Sequence, residues 1–119
     1  MKLNDTTGKQ LASINQLKAV LDYVRSHYTE PVTLKELADI ACMSPTYFCR
    51  YFHQEMGKTP FAFLNEYRIK KAAILLDGSS LSVSDIAINC GFDNISYFIR
   101  KFKEYQGVTP KKYRSRTEE

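Results

Sequence analysis

The sequence predicts an all-α domain of about seven helices, in which two helix-turn-helix subdomains are joined by a long spacer helix. Three observations predict it. The segment from Tyr47 to Pro60 returns fifty residues later as Tyr97 to Pro110, with Tyr47/Tyr97, Phe48/Phe98, Arg50/Arg100, Phe52/Phe102, Gly57/Gly107, Thr59/Thr109 and Pro60/Pro110 identical. Upstream the match continues at a spacing of 49, pairing Thr33 with Ser82, Leu34 with Val83, Glu36 with Asp85, Leu37 with Ile86 and Ala38 with Ala87. One extra residue, near Asp93, therefore lies between the helices of the second copy. Cap signals stand at matching places in both copies, and no helix breaker interrupts the stretch between them. Two copies of a unit of about thirty residues are too few for a solenoid, so each is expected to close its own small core.

Before the first copy, Leu17, Val20, Leu21 and Val24 fall at i, i+3, i+4 and i+7 and predict a helix from about Ile14 to Tyr28 with one buried face. Residues 1–10 read as a frayed or linker start, leaving 11–119 as the domain. Thr33-Leu34-Lys35-Glu36 and Ser82-Val83-Ser84-Asp85 read as capping boxes that open short helices at about Leu34–Ala41 and Val83–Asn89. After breaks at Cys42-Met43 and Gly91-Phe92, Ser44 before Pro45, and Asn94, cap helices reaching Met56 and Gln106. Gly57 and Gly107 supply the stops. The first helix-turn-helix thus spans about 33–56 and the second about 82–106.

The stretch 60–76 predicts one spacer helix of about 25 Å at the usual rise, ended by Asp77-Gly78-Ser79-Ser80. Phe61 and Leu64 are spaced to serve the first lobe; Ala72, Leu75 and Leu76 are spaced to serve the second. Thr109-Pro110 opens a final helix over about 110–115.

Composition narrows the function classes. The chain has 119 residues, 44% of them apolar and 13% aromatic, which suits one packed domain. No apolar run approaches the roughly 20 residues of a membrane span, and the start MKLNDTTGKQ lacks a secretory signal, so a cytoplasmic location is expected. Cys42, Cys49 and Cys90 are an odd number and form no Cys-x-x-Cys pair; they read as small buried or half-buried apolar residues, and with only His27 and His53 no metal site is expected. No Gly-rich phosphate loop, no nucleophile with a histidine at a telling spacing and no paired carboxylates are visible, so neither an enzyme nor a cofactor is expected. The net charge of +4 is uneven: Arg100, Lys101, Lys103, Lys111, Lys112, Arg114 and Arg116 face a single acid, Glu104, between residues 100 and 116. A polyanionic partner and a solvated helical face both fit that stretch.

Arg68-Ile69, Ala72, Leu75-Leu76, Val83, Ile86-Ala87, Gly91-Phe92, Ser96-Tyr97-Phe98, Arg100, Phe102-Lys103, Gly107, Thr109-Pro110 and Tyr113-Arg114 resemble the C-terminal signature of the AraC/XylS family of bacterial transcription regulators. The resemblance covers about Leu17 to Arg114. It implies a seven-helix domain whose two helix-turn-helix units read adjacent major-groove segments of double-stranded DNA, usually to activate transcription by recruiting RNA polymerase. It also implies base readout from the outward face near the start of each second helix, which here carries Thr46, Cys49 and Arg50, then Ile95, Ser96, Ile99 and Arg100. Many members carry an N-terminal sensing or dimerisation domain, so the chain reads as a small stand-alone regulator or an excised C-terminal domain. The polar start favours the latter. As an isolated unit it is expected to be a monomer without a small-molecule effector of its own.

Helical spacing selects much the same residues. With Phe48, Tyr51 and Phe52 inward, Pro45, Thr46, Cys49, Arg50 and His53 point outward; with Phe98, Phe102 and Tyr105 inward, Ile95, Ser96, Ile99 and Arg100 do. Arg50 and Arg100 suit bidentate pairing to guanine, or an ion pair or phosphate contact. Ile95 and Ile99 suit thymine methyl groups, or packing on the spacer helix or Tyr97. Lys58, Lys71, Lys101, Lys112 and Arg114 are candidates for phosphate contact or for a solvated face. Tyr47 and Tyr97 suit a backbone contact or support of their lobes. The rival to DNA binding is a helical protein-interaction module with Thr46, Cys49, Ile95 and Ile99 as its interface.

Overall fold

The structure, a computed structural model, describes residues 2–118, with side chains from residue 13 to residue 116. Among the described residues it holds seven helices and no strand: α1 (Lys2–His27), α2 (Leu34–Ile40), α3 (Pro45–Met56), α4 (Pro60–Gly78), α5 (Val83–Asn89), α6 (Ile95–Gln106) and α7 (Pro110–Glu118). The chain divides into two compact units, one of residues 1–27 and 32–61, the other of residues 28–31 and 62–119. Helix α4 starts in the first and runs on in the second.

In the first unit, α2 packs on both α1 and α3. Val20 and Val24 of α1, Leu37 and Ala38 of α2, and Phe48 and Phe52 of α3 are almost wholly removed from water. Tyr51 joins them, its hydroxyl donating to the Ser13 carbonyl at 2.9 Å. In the second unit, α5 packs on α6 and α6 on α7. Its core is Ile69, Ala72, Ala73 and Leu76 of α4, Ile86 and Ala87 of α5, Cys90 and Phe92 of the turn, and Phe98 and Phe102 of α6, with Leu75, Val83, Tyr97 and Tyr113 packed against it.

Local chemistry accounts for the boundaries. Five helix starts are closed by side chains: the N–H groups of Glu36, Tyr47, Asp85, Tyr97 and Lys112 donate to Thr33, Ser44, Ser82, Asn94 and Thr109 at 2.9–3.3 Å. Gly57 and Gly107 close α3 and α6 in left-handed conformation, each N–H returning to the carbonyl four residues back. The capping box at Thr33 forms on its hydroxyl side, while the Glu36 carboxylate accepts from the Tyr23 hydroxyl on α1 at 3.0 Å.

Several sequence-based expectations change. Helix α1 begins at Lys2 rather than near Ile14, so residues 2–10, expected as a frayed or linker start, are helical. Helix α4 continues to Gly78 because the Ser79 hydroxyl donates to the Leu75 carbonyl and Arg114 to those of Leu76 and Ser79, satisfying its last turn. Phe61 is 41% exposed and Tyr105 36%, so neither fills a core; Tyr105 instead donates its hydroxyl to the Ala62 carbonyl at 3.4 Å. Cys42 is exposed rather than a buried apolar residue.

Candidate nucleic-acid interface

Each unit presents a short helix, a tight turn and a longer amphipathic helix. The two turns are built alike. In the first, Met43 N–H donates to the Ala38 carbonyl and Cys42 N–H to that of Asp39; in the second, Phe92 N–H donates to Ala87 and Gly91 N–H to Ile88. This paired return of two N–H groups across a left-handed residue ends a helix abruptly and redirects the chain. The left-handed residue is Cys42 at φ 58 in one turn and Gly91 at φ 94 in the other. The inserted residue, Asp93, follows the second turn and leaves Asn94 in the cap position that Ser44 holds in the first.

Helices α3 and α6 carry the candidate base-reading residues on the faces their aromatic cores leave free. On α3, the ring pair Phe48/Phe52 is buried with centroids 5.7 Å apart, and Pro45, Thr46, Arg50 and His53 are exposed with Cys49 half-buried. On α6, Phe98 and Phe102 form the matching pair at 5.8 Å, and Ile95, Ser96, Ile99, Arg100 and Lys103 are exposed. Ile95 and Ile99 keep 38% and 37% of their surface in water, so packing within the unit leaves them open. A hydroxyl and an arginine stand at the same two registers of both helices, Thr46 with Arg50 and Ser96 with Arg100. Between and beside them, Pro45, Cys49 and His53 of the first copy correspond in register to Ile95, Ile99 and Lys103 of the second.

The tyrosines next to these positions differ in role. Tyr97 is half-buried, its hydroxyl accepts from Asn65 Nδ2 at 3.0 Å, and its ring packs near Phe92, so it supports the second unit. Tyr47 is exposed and stacks on Tyr51. The Arg100 guanidinium lies 5.7 Å from the Tyr97 ring centroid, a contact that steadies it without using its hydrogen-bond donors.

The lysines and arginines considered for phosphate contact are not alike either. Lys112 is exposed on the first turn of α7. Lys101 is half-buried, lies over the Tyr97 ring and bonds Glu104 at 3.3 Å, which raises its pKa and keeps it charged. Lys71 lies over the Tyr67 ring, and Lys58 is half-buried just after α3. Arg114 also has a structural part: its Nε and Nη2 donate to the Leu76 and Ser79 carbonyls at 3.3 Å, so it holds the end of α4.

Sequence reasoning missed Arg68 as an organising residue. Its Nε and Nη2 donate to the carbonyls of Tyr28 and Glu30, nearly forty residues earlier, and its guanidinium lies over Phe92 in the second turn. Among the described residues, no group of three or more His, Cys, Asp or Glu side chains is placed to hold a metal ion, and no helix is long and apolar enough to cross a membrane.

Two capped helix-turn-helix units with exposed, hydroxyl- and arginine-bearing second helices define a DNA-binding helix-turn-helix domain. A helix-turn-helix domain family model matches residues 37–116. The chain is 33% identical over 116 residues to the regulatory protein PocR of Salmonella typhimurium, an alignment covering 98% of this chain and 38% of that protein. It resembles the DNA-binding domain of the global transcriptional factor AdpA, solved with a target DNA, at 30% identity and TM-score 0.78, over 85% of this chain and 90% of that one. A probable AraC family transcriptional regulator from Rhodopseudomonas palustris matches at 26% identity and TM-score 0.79, over 87% and 97% of the two chains. The chain belongs to the AraC family of transcription regulators. It spans less than two fifths of PocR and of the HTH-type regulator YdeC of Bacillus subtilis, at 38% and 36% of their lengths.

Proposed function

We propose that the chain binds double-stranded DNA site-specifically, with α3 and α6 entering adjacent major-groove segments, and regulates transcription by recruiting RNA polymerase. The observation that carries this reading is the repetition at the start of α3 and α6: a side-chain cap, then a hydroxyl and an arginine at the same registers of an exposed face. Arg50 and Arg100 each pair with guanine O6 and N7; Thr46, Cys49, Ser96, Ile95 and Ile99 complete the contact with base edges. Lys58, Lys71, Lys101 and Lys112 neutralise phosphates, and the capped start of α6 adds backbone N–H donors. The AdpA domain, alike in fold and solved on DNA, supports the reading. In this reading the chain is a monomeric binding module rather than an enzyme, carries no effector site of its own and works at the cytoplasmic nucleoid.

Fluorescence anisotropy of labelled duplexes, selected by the protein from a random pool, tests it across a salt series. Affinity is expected to fall steeply with salt, and Arg50→Ala and Arg100→Ala each to cost about 1–3 kcal/mol on the selected site and less on random duplex. No duplex binding even at low salt overturns the reading and turns the test to protein partners for the exposed isoleucines of α6.

A further inference from the structure

We infer that the second unit recognises thymine through its 5-methyl group, with Ile95 and Ile99 as the residues that set this specificity. The inference rests on the DNA-binding reading above and deepens it. Helix α6 places Ile95 in its first turn and Ile99 one turn further, on the same side as Ser96 and Arg100. The buried side of the helix is already filled by Phe98 and Phe102, and Tyr97 is fixed by Asn65 and Phe92. Two aliphatic side chains therefore stand more than a third exposed at the end of the helix nearest the turn, flanked by Arg100 and Lys103.

The repeat isolates what these residues add. The hydroxyl and arginine registers are shared between α3 and α6, so they cannot make the two units read different bases. The differences on this face fall at Pro45 against Ile95, Cys49 against Ile99 and His53 against Lys103, and at the first two the second unit carries the larger aliphatic side chain. Charge restricts the partner: Arg100, Lys103, Lys111 and Lys112 lie on the same helix or the next and favour a polyanion. Of the groups that standard base pairs present in the major groove, the thymine methyl is the apolar one. Removing one such methyl and its contact is worth roughly a factor of four in affinity.

The experiment selects duplexes from a randomised pool with the full chain, then replaces each thymine of a selected duplex singly by deoxyuridine, which deletes the methyl and keeps the O4 acceptor. Binding is measured by anisotropy for the wild type and for the Ile95→Ala/Ile99→Ala double variant, whose fold is checked by circular dichroism. The expected result is one or two thymines, on the side of the site where guanine contacts depend on Arg100, at which deoxyuridine weakens the wild type about fourfold each and leaves the variant nearly unchanged. Salt-dependent, site-selective binding with no deoxyuridine effect overturns the inference and leaves DNA binding intact. An equal deoxyuridine effect in wild type and variant assigns the methyl contact to other residues and also overturns it. Failure of the wild type to retain any duplex overturns the DNA-binding reading itself.

Discussion

Arg68 and Tyr28 meet through a 2.7 Å hydrogen bond from the guanidinium Nε to the tyrosine carbonyl, and the same guanidinium reaches the Glu30 carbonyl at 2.9 Å. Gly91 passes close beside this pair. At φ 94 it is left-handed, and a Cβ added there would collide with the Tyr28 carbonyl and the Arg68 guanidinium. The turn that aims α6 is thus seated on an arginine held by two backbone carbonyls and the Phe92 ring, with the Asp93 carboxylate near enough to favour its charge. Burial lowers the Arg68 pKa, yet a guanidinium stays protonated, so its acceptors are required.

Arg68→Ala therefore strands the part-buried Tyr28 carbonyl and gives the exposed Glu30 carbonyl to water, and is expected to cost about 1–3 kcal/mol of stability. Arg68→Lys is expected to recover less than half of that, because one ammonium lacks the planar fork that reaches both acceptors. Gly91→Ala is expected to cost at least as much as Arg68→Ala. Urea denaturation of the three variants checks this ranking; a wild-type midpoint for Arg68→Ala would show that the corner holds without the guanidinium.

Cys42 occupies in the first turn the left-handed position that Gly91 holds in the second, at φ 58. For a residue with a Cβ that conformation costs about 1–2 kcal/mol, against roughly 0.5–1 kcal/mol for the extra chain entropy of glycine. Cys42 is exposed, so replacing it removes little packing. Cys42→Gly is expected to stabilise the chain by about 0.5–1 kcal/mol, read as a rise in urea midpoint with an unchanged slope. A loss of stability would mean the thiol contributes more than its exposure indicates.

The repeat, the caps and the two C-terminal glycines made the helices legible because each is a local signal: a hydroxyl reaches an N–H three residues away whatever the rest of the chain does. The aromatic pairs Phe48/Phe52 and Phe98/Phe102 were legible for the same reason of spacing. Arg68 was not, since its acceptors are carbonyls of Tyr28 and Glu30, groups every residue carries, far away in sequence. The part Arg114 plays in closing α4 was hidden on the same grounds, since a basic run does not reveal that one member closes another helix. Tyr105 and Phe61 fit a buried register by spacing, but both stay exposed, because spacing alone does not say whether a neighbouring element covers that part of the helix.

Cys90 is fully buried in the second core, where Ala41 stands in the first, and burial pushes its thiol up from about 9 to about 11. The folded state holds this proton more tightly than the unfolded chain. Its contribution is therefore complete below about pH 9 and is lost as pH rises through about 11. Other groups titrate in that range, so the comparison is with Cys90→Ala. The stability difference between wild type and variant is expected to shrink by about 2 kcal/mol between pH 8 and pH 11. Urea unfolding across that range measures it, and a constant difference would show that water reaches the thiol.

Cys49 provides a probe of the α3 face that does not depend on replacing a charge. The three thiols differ in access, Cys42 being exposed, Cys49 half-buried and Cys90 buried, so a maleimide is expected to label them in that order, with Cys90 reacting only on unfolding. Cys49 lies between Thr46 and Arg50 on the face assigned to base readout. A saturating selected duplex at low salt is expected to slow its labelling at least tenfold, and raising the salt until the duplex dissociates should restore the rate. Chain labelled at Cys49 in a Cys42→Ser background should in turn lose site-selective binding, because the adduct fills the space a base edge needs. Mass spectrometry of tryptic peptides resolves the sites. A Cys49 rate unchanged under saturating duplex would remove this residue, and with it the assigned face of α3, from the DNA contact.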